Sequence, residues 1–392
     1  MALTGDPAGP PLAPATEAAA TVDAALAPFG LDAGVLAERA ASAGVARGGR
    51  VSCGRGSRLL RAADGWLALT LSRPDDVASL PALLEAGFDG EPDGTGDLAP
   101  WDRVARLVAA RPAAGVAAQA ELLGMPCGVV GEPAAAPLVP LPGAAAADAP
   151  RQPPYVVDLS ALWAGPLATS CLLRAGATVV KVEDVRRPDG ARSGDPAFHD
   201  LLNGGKLSVA LDFSSPDGRR ALASLVERAD VVVTSARARA VEALGLDPEA
   251  TPAAGDKVWV AITAHGWESS RVGFGDDVAA TAGLVAWHPD DGEPRFAADA
   301  IADPLAGALA ASAALAAWHQ GGRHFLDVSL ATAARSVAPP AAPPARTANA
   351  MAAGAGWSID GERVAQPRAR AADRPAAVLG ADTAAVLAAV SA

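Results

Sequence analysis

Residues 155–211 read YVVDL (155–159), TVVKV (178–182) and LSVAL (207–211), separated by helix-length stretches, and this spacing decides the fold. Each run is short, rich in β-branched or apolar residues and bounded by Gly, Asp or Pro, the pattern of a buried strand. Outward from them, VVV (231–233), VWVAI (258–262) and FLDV (325–328) repeat it. Between several of these runs lie amphipathic stretches such as 218–229, where Leu222, Leu225 and Val226 recur at helical spacing. The alternation predicts an α/β fold whose large, Rossmann-like domain has a mostly parallel sheet with helices on both faces. Ligands in such folds bind at the carboxyl ends of the strands, so the loops there are where chemistry is to be sought.

Proline sets the boundaries. Residues 132–154 and 339–349 include PLVPLPG and PPAAPPA, extended segments in which proline fixes φ and removes backbone donors. The expected organisation is a disordered leader at 1–20, a smaller α+β domain at 21–131, a linker at 132–154, the large domain at 155–338, a second linker at 339–349 and a C-terminal segment at 350–392.

Composition narrows the function. Lys+Arg 32 against Asp+Glu 44 gives a net charge of −12, which disfavours nucleic acid because phosphate binding needs a basic footprint. Hydrophobic residues at 51% suffice for a sizeable core. The longest apolar stretch, 305–318, is shorter than the roughly 20 residues a membrane span needs, so no membrane association is expected. Cys53, Cys127 and Cys171 are odd in number and scattered, arguing against a disulfide framework and a cysteine zinc site and for a cytoplasmic location. His319 and His324 flank Gly321-Gly322 and share no helical face, so no metal site is expected there. Only three basic residues are lysines: Lys181, Lys206 and Lys257.

Generic catalytic motifs fail. Gly204-Gly205-Lys206 resembles the end of a phosphate loop, but Asp200 stands where the first glycine belongs and Leu207 where Ser or Thr belongs. Ser52 lacks the nucleophile-elbow glycine at 50, which is Arg50. The turn after the first strand is Ala164-Gly165-Pro166, without a dinucleotide fingerprint.

The remaining segments form an ordered series: Val157-Asp158-Leu159-Ser160 leading to Ala164-Gly165-Pro166, GATVVKVE (176–183), NGGKLSVALD (203–212), ADVVV (229–233) with Arg237 and Leu244-Gly245-Leu246, and Asp303-Pro304-Leu305-Ala306-Gly307 opening an alanine-rich helix. The series resembles the class III CoA-transferase family. The resemblance implies that Asp303 is the nucleophile, attacking an acyl-CoA to give a mixed anhydride and then an aspartyl-CoA thioester that a carboxylic acid acceptor resolves. From local sequence alone, Asp303 before Pro304 also reads as a plain helix N-cap. By the same resemblance Lys206, Arg237, Arg187, Asn203, Ala164 and Gly165 meet CoA, and a glycine-rich loop, here Gly54 and Gly56, shields the reaction from water. No permanently bound cofactor is implied: coenzyme A enters as a thioester substrate. The family's homodimeric state carries over with it.

GRG (54–56), AADGWLAL (62–69), residues 101–108 and GMPCGVV (124–130) resemble the family's small domain, which ordinarily follows the catalytic aspartate. Residues 363–387 resemble its closing segment. This reads as a permuted order with a single linker between domains, predicting a dimer whose protomers need not interlock. Asp276 stands where family transferases have an aromatic residue and related racemases a histidine, and Trp163 is bulkier than usual at its position. The expected function is acyl-CoA:carboxylate CoA transfer; the alternatives are an acyl-CoA racemase or epimerase and an inactive CoA-binding homologue.

Overall fold

The computed structural model describes residues 3–8, 10–12, 16–84, 100–133, 152–248, 257–339, 350–353, 356–359 and 362–391. Most of the two proline-rich linkers lies outside the described residues. Strands β1 (Ser57–Arg61), β2 (Trp66–Thr70) and β3 (Cys127–Val129) form an antiparallel sheet in the order β1-β2-β3. The helices Leu80–Leu84, Pro100–Ala109 and Ala113–Leu122 share a core with it built on Leu67, Leu69, Val104 and Val116.

The large domain holds β4 (Tyr155–Leu159), β5 (Thr178–Asp184), β6 (Leu207–Leu211), β7 (Val231–Thr234), β8 (Lys257–Thr263), a short hairpin of β9 (Val285–Trp287) and β10 (Pro294–Phe296), and β11 (Arg323–Ser329). Six of these make one parallel sheet, ordered β11-β8-β7-β4-β5-β6. Successive side chains on a strand point to opposite faces, and both faces are apolar. Val156, Val179, Val231 and Val258 face one core with the helices Ala164–Arg174 and Ala302–Gln320. Val157, Val180, Val232 and Trp259 face another with the Pro216–Arg228 helix and Val386 of the C-terminal helix Thr383–Ser391. That last helix is tied to edge strand β6, where Ser208 N–H donates to Asp382 (2.8 Å) and Ala210 N–H to Thr383 (3.0 Å). A further antiparallel sheet joins β12 (Ala350–Ala353), β13 (Gly356–Ile359) and β14 (Glu362–Arg363). Among the described residues no helix is long and apolar enough to cross a membrane.

The N-terminal region departs from expectation. Helix Thr16–Leu26 buries Ala18 and Val22 against the large-domain core, and that core continues through Leu36, Ala40 and Cys53. Leu3 is buried as well, and the Thr4 hydroxyl accepts from Ala298 N–H at 3.1 Å. The described residues of the expected leader are therefore packed, because they supply a hydrophobic layer that the sheet face needs covered. The expected 21–131 block divides near residue 55: the chain begins in the large domain, enters the small one at β1 and returns at β4. Two connections thus join the domains, so the single linker from which an unlinked dimer was expected is not what the described residues show.

Candidate active site

Asp303 lies in the first turn of the Ala302–Gln320 helix, whose N-cap is Ile301. It does not cap its own helix, contrary to the plain reading of Asp-Pro; its carboxylate instead lies against Gly275, where the Gly275–Thr281 helix begins, and the amide there favours its charge. The Ala302–Gln320 helix is apolar nearly all round because other elements enclose it, as expected of a central helix. At Gly307 it approaches the Ala164–Arg174 helix so closely that a Cβ would stand 2.6 Å from the Ala164 carbonyl oxygen. Ala164 and Gly165 therefore position the helix that carries Asp303, Gly165 being pressed against Ser160.

Asp276 and Asp299 act on Asp303, and Asp277 follows Asp276 in the chain. Asp276 is partly buried, accepts Ala300 N–H at 2.9 Å and has the Ser52 hydroxyl beside it. Asp277 is buried and accepts from Thr70 of the small domain (2.9 Å) and from Phe274 N–H (3.0 Å). Asp299 is fully buried and holds Arg39 through two hydrogen bonds, Arg39 Nε donating at 2.9 Å and Nη2 to the other oxygen. Burial, then the Asp276 and Asp299 charges, push the Asp303 carboxyl up to about 7, although Arg39 and the Gly275 amide pull it down. Burial and Asp299 raise Asp276 to about 6. The preference of a helix N-terminus for an ionised carboxylate is thus outweighed here. The loop of Ser52, Cys53 and Gly54 covers the cluster: Cys53 Sγ donates to the Ala298 carbonyl at 3.4 Å, and Gly54 lies against the Arg39 guanidinium. Gly56 lies one turn on, against Ser72.

The other expected site residues separate into two groups. Arg187 and Arg237 are exposed at the carboxyl ends of β5 and β7. Burial and the nearby Arg239, Arg73 and Arg187 lower the Arg237 guanidinium, so Arg73 of the small domain joins the same basic patch. Lys206 and Asn203 do not reach it. Lys206 is 4% exposed and its ammonium contacts Asp158 (3.0 Å), the Pro166 carbonyl (3.0 Å), Thr169 (2.7 Å) and Asn203 (2.9 Å). Every one of its protons has an acceptor inside the protein, so the expected contact with CoA is corrected to a structural role. Lys181, bonded to Asp189 at 2.9 Å, and Lys257, capping carbonyls at the end of the Pro216–Arg228 helix, are buried in the same way.

Arg39, Asp299 and Ser52 escaped the sequence reading. Arg39 and Asp299 are 260 residues apart and neither belongs to a motif, so no local signal marks them. Trp163 is buried, edge-on to Phe198 (5.1 Å between ring centroids), and forms the surface over which Arg39 stacks at 5.2 Å.

A sequence model of CoA-transferase family III matches residues 155–387. Succinate–glutarate CoA-transferase of Agrobacterium fabrum is 31% identical over 189 residues, covering 43% of this chain and 47% of that protein. The probable fatty acyl-CoA transferase Rv3272 of Mycobacterium tuberculosis is 31% identical over 175 residues, covering 41% and 44%. A crystal structure of Rv3272 superposes with a TM-score of 0.44 at 29% identity, covering 51% of this chain and 58% of that one. The chain spans about half the length of the curated relatives it matches. With the family model covering more than half of its residues, the chain belongs to CoA-transferase family III.

Proposed function

We propose that the protein is an acyl-CoA:carboxylate CoA-transferase with Asp303 as nucleophile. The observation that carries this reading is a partly exposed carboxylate at the first turn of the central helix, lying against Gly275, in a chain of this family. The Asp303 carboxylate attacks the donor carbonyl, forming an acyl-aspartyl anhydride and expelling CoA thiolate. The thiolate attacks the Asp303 carbonyl, releasing the donor acid and leaving an aspartyl-CoA thioester. The acceptor carboxylate attacks that thioester, expelling thiolate and forming a new anhydride; thiolate attack on the acceptor carbonyl then yields the new acyl-CoA and regenerates Asp303. Two-stage covalent transfer of this kind divides one difficult exchange into easier steps. Arg187, Arg237 and Arg73 meet the CoA phosphates, supplying local positive charge against the net charge of −12. The glycine loop through Gly54 keeps water from the intermediates.

The test is incubation with succinyl-CoA or a fatty acyl-CoA and a panel of carboxylic acids, with hydroxylamine trapping and peptide mass spectrometry. Modification of Asp303, and loss of exchange in Asp303→Ala, are expected; an unmodified Asp303 with activity retained in the alanine variant overturns the reading.

One observation favours a second reading. Asp276 replaces the histidine that the resemblance places in related racemases, which counts against racemisation, but its carboxyl acts on Asp303 from where a second proton-transfer group would stand. Solvent deuterium entering the acyl-CoA without CoA exchange would establish it. The three unpaired, buried cysteines support a cytoplasmic setting, and the homodimeric state implied by the family is tested by light scattering.

A further inference from the structure

The N-terminal layer brings an arginine to the carboxylate cluster. Residues 38 and 39 are both anchored: buried Glu38 pairs with Arg370 of the C-terminal segment, and Arg39 is clamped by Asp299, stacked on Trp163 and flanked by Gly54. A planar guanidinium held by two hydrogen bonds and stacked on one face has few rotamers open to it and places its charge at a defined point. That charge reaches Asp276 and Asp303 as well as Asp299. The groups facing Asp303 are Arg39, Asp276, Asp299 and the Gly275 amide, so Arg39 is the cation among three carboxylates.

We propose that Arg39 is a positioning residue for the CoA-transfer reaction: clamped by Asp299, it sets a fixed positive charge in the carboxylate cluster that favours the ionised, nucleophilic form of Asp303. The inference rests on the reading of Asp303 as nucleophile. Asp299 is fully buried and takes two hydrogen bonds from Arg39, so the guanidinium is fixed within the cluster.

The experiment is the pH profile of kcat/KM for Arg39→Gln and Arg39→Lys, with carbon-detected NMR of carboxyl-labelled aspartate, the Asp303 signal being identified by its absence in Asp303→Asn. An ionised nucleophile loses rate as pH falls through its pKa, and removing a nearby cation raises that pKa. Arg39→Gln is expected to move both the acid limb and the Asp303 midpoint upward by about one pH unit, costing about tenfold in rate below the midpoint and far less above it. Arg39→Lys restores most of the shift. A rate loss of equal factor at every pH, with the midpoint unmoved, overturns the proposal. If Arg39→Gln does not fold, Arg39→Gln/Asp299→Asn keeps an amide pair without buried charge, and a smaller upward midpoint shift is expected from it; no shift there also overturns the proposal. An active Asp303→Ala enzyme would remove the nucleophile reading, whereas the NMR midpoint decides the effect of Arg39 separately.

Discussion

Gly275 lies directly against the carboxylate of Asp303, and no room for a side-chain carbon remains between them. A Cβ at 275 would meet Asp303 Oδ2, the Ala300 carbonyl oxygen and, at 2.8 Å, the Ala300 methyl. Gly275→Ala must push the nucleophile aside. We expect roughly a hundredfold loss of exchange rate, the usual consequence of misplacing a reacting group by about 1 Å. Single-turnover kinetics with hydroxylamine trapping read it directly; an unchanged acylation rate would show that the amide is not part of the machinery.

Lys206 gives a contrasting outcome. Its ammonium is lowered to about 8 by burial against the pull of Asp158, and it satisfies four acceptors. Lys206→Met leaves the Asp158 carboxylate buried without its closest cation and is expected to destabilise by about 3–5 kcal/mol in urea unfolding. Any variant protein that folds at low temperature should keep its KM for acyl-CoA. A raised KM with stability intact would return Lys206 to the CoA site.

Arg187 and Arg237 carry the opposite expectation. Both are exposed, so Arg187→Ala and Arg237→Ala should leave the unfolding midpoint in place. Each is expected to raise the KM for acyl-CoA about tenfold, the worth of one charge-assisted contact, with little change in kcat. The effect should shrink as salt is added, because exposed charges are screened. A KM unchanged in low salt refutes the assignment.

Asp277 links stability to pH. Burial first, against the Thr70 and Phe274 hydrogen bonds, raises it from 3.8 to about 7. The folded state therefore binds the proton more tightly than the unfolded chain, and the stability from that protonation is full below about pH 4 and lost as pH rises through about 7. Asp277→Asn keeps an oxygen for Thr70 but has no charge to bury. We expect a gain of about 2 kcal/mol at pH 8 and close to none at pH 4, measured by urea unfolding at both values. Equal effects at the two pH values would disprove the assignment.

Much of the large domain was legible in the sequence. Parallel strands covered on both faces must be apolar throughout, so YVVDL, TVVKV and VVV announce themselves without any partner. The ordered motifs also singled out Asp303 at the start of its helix, because each is a short run readable without its partners. What the motifs could not report is which of their polar residues face solvent. Lys206 and Arg237 look alike in a line of letters; one points inward beneath the Ala164–Arg174 helix and the other outward from a strand end.

The amino-acid sequence by itself determined the alternating α/β order, the placement of an aspartate at the start of an alanine-rich helix and the acidic balance of the chain. Only the tertiary structure decided that the described residues up to Cys53 pack with the large domain, that all three lysines are internal and that Arg39 meets Asp299. The physical reason is range. Strand and helix patterns repeat within a few residues, whereas an ion pair spanning 260 positions exists only once packing has closed the chain between them.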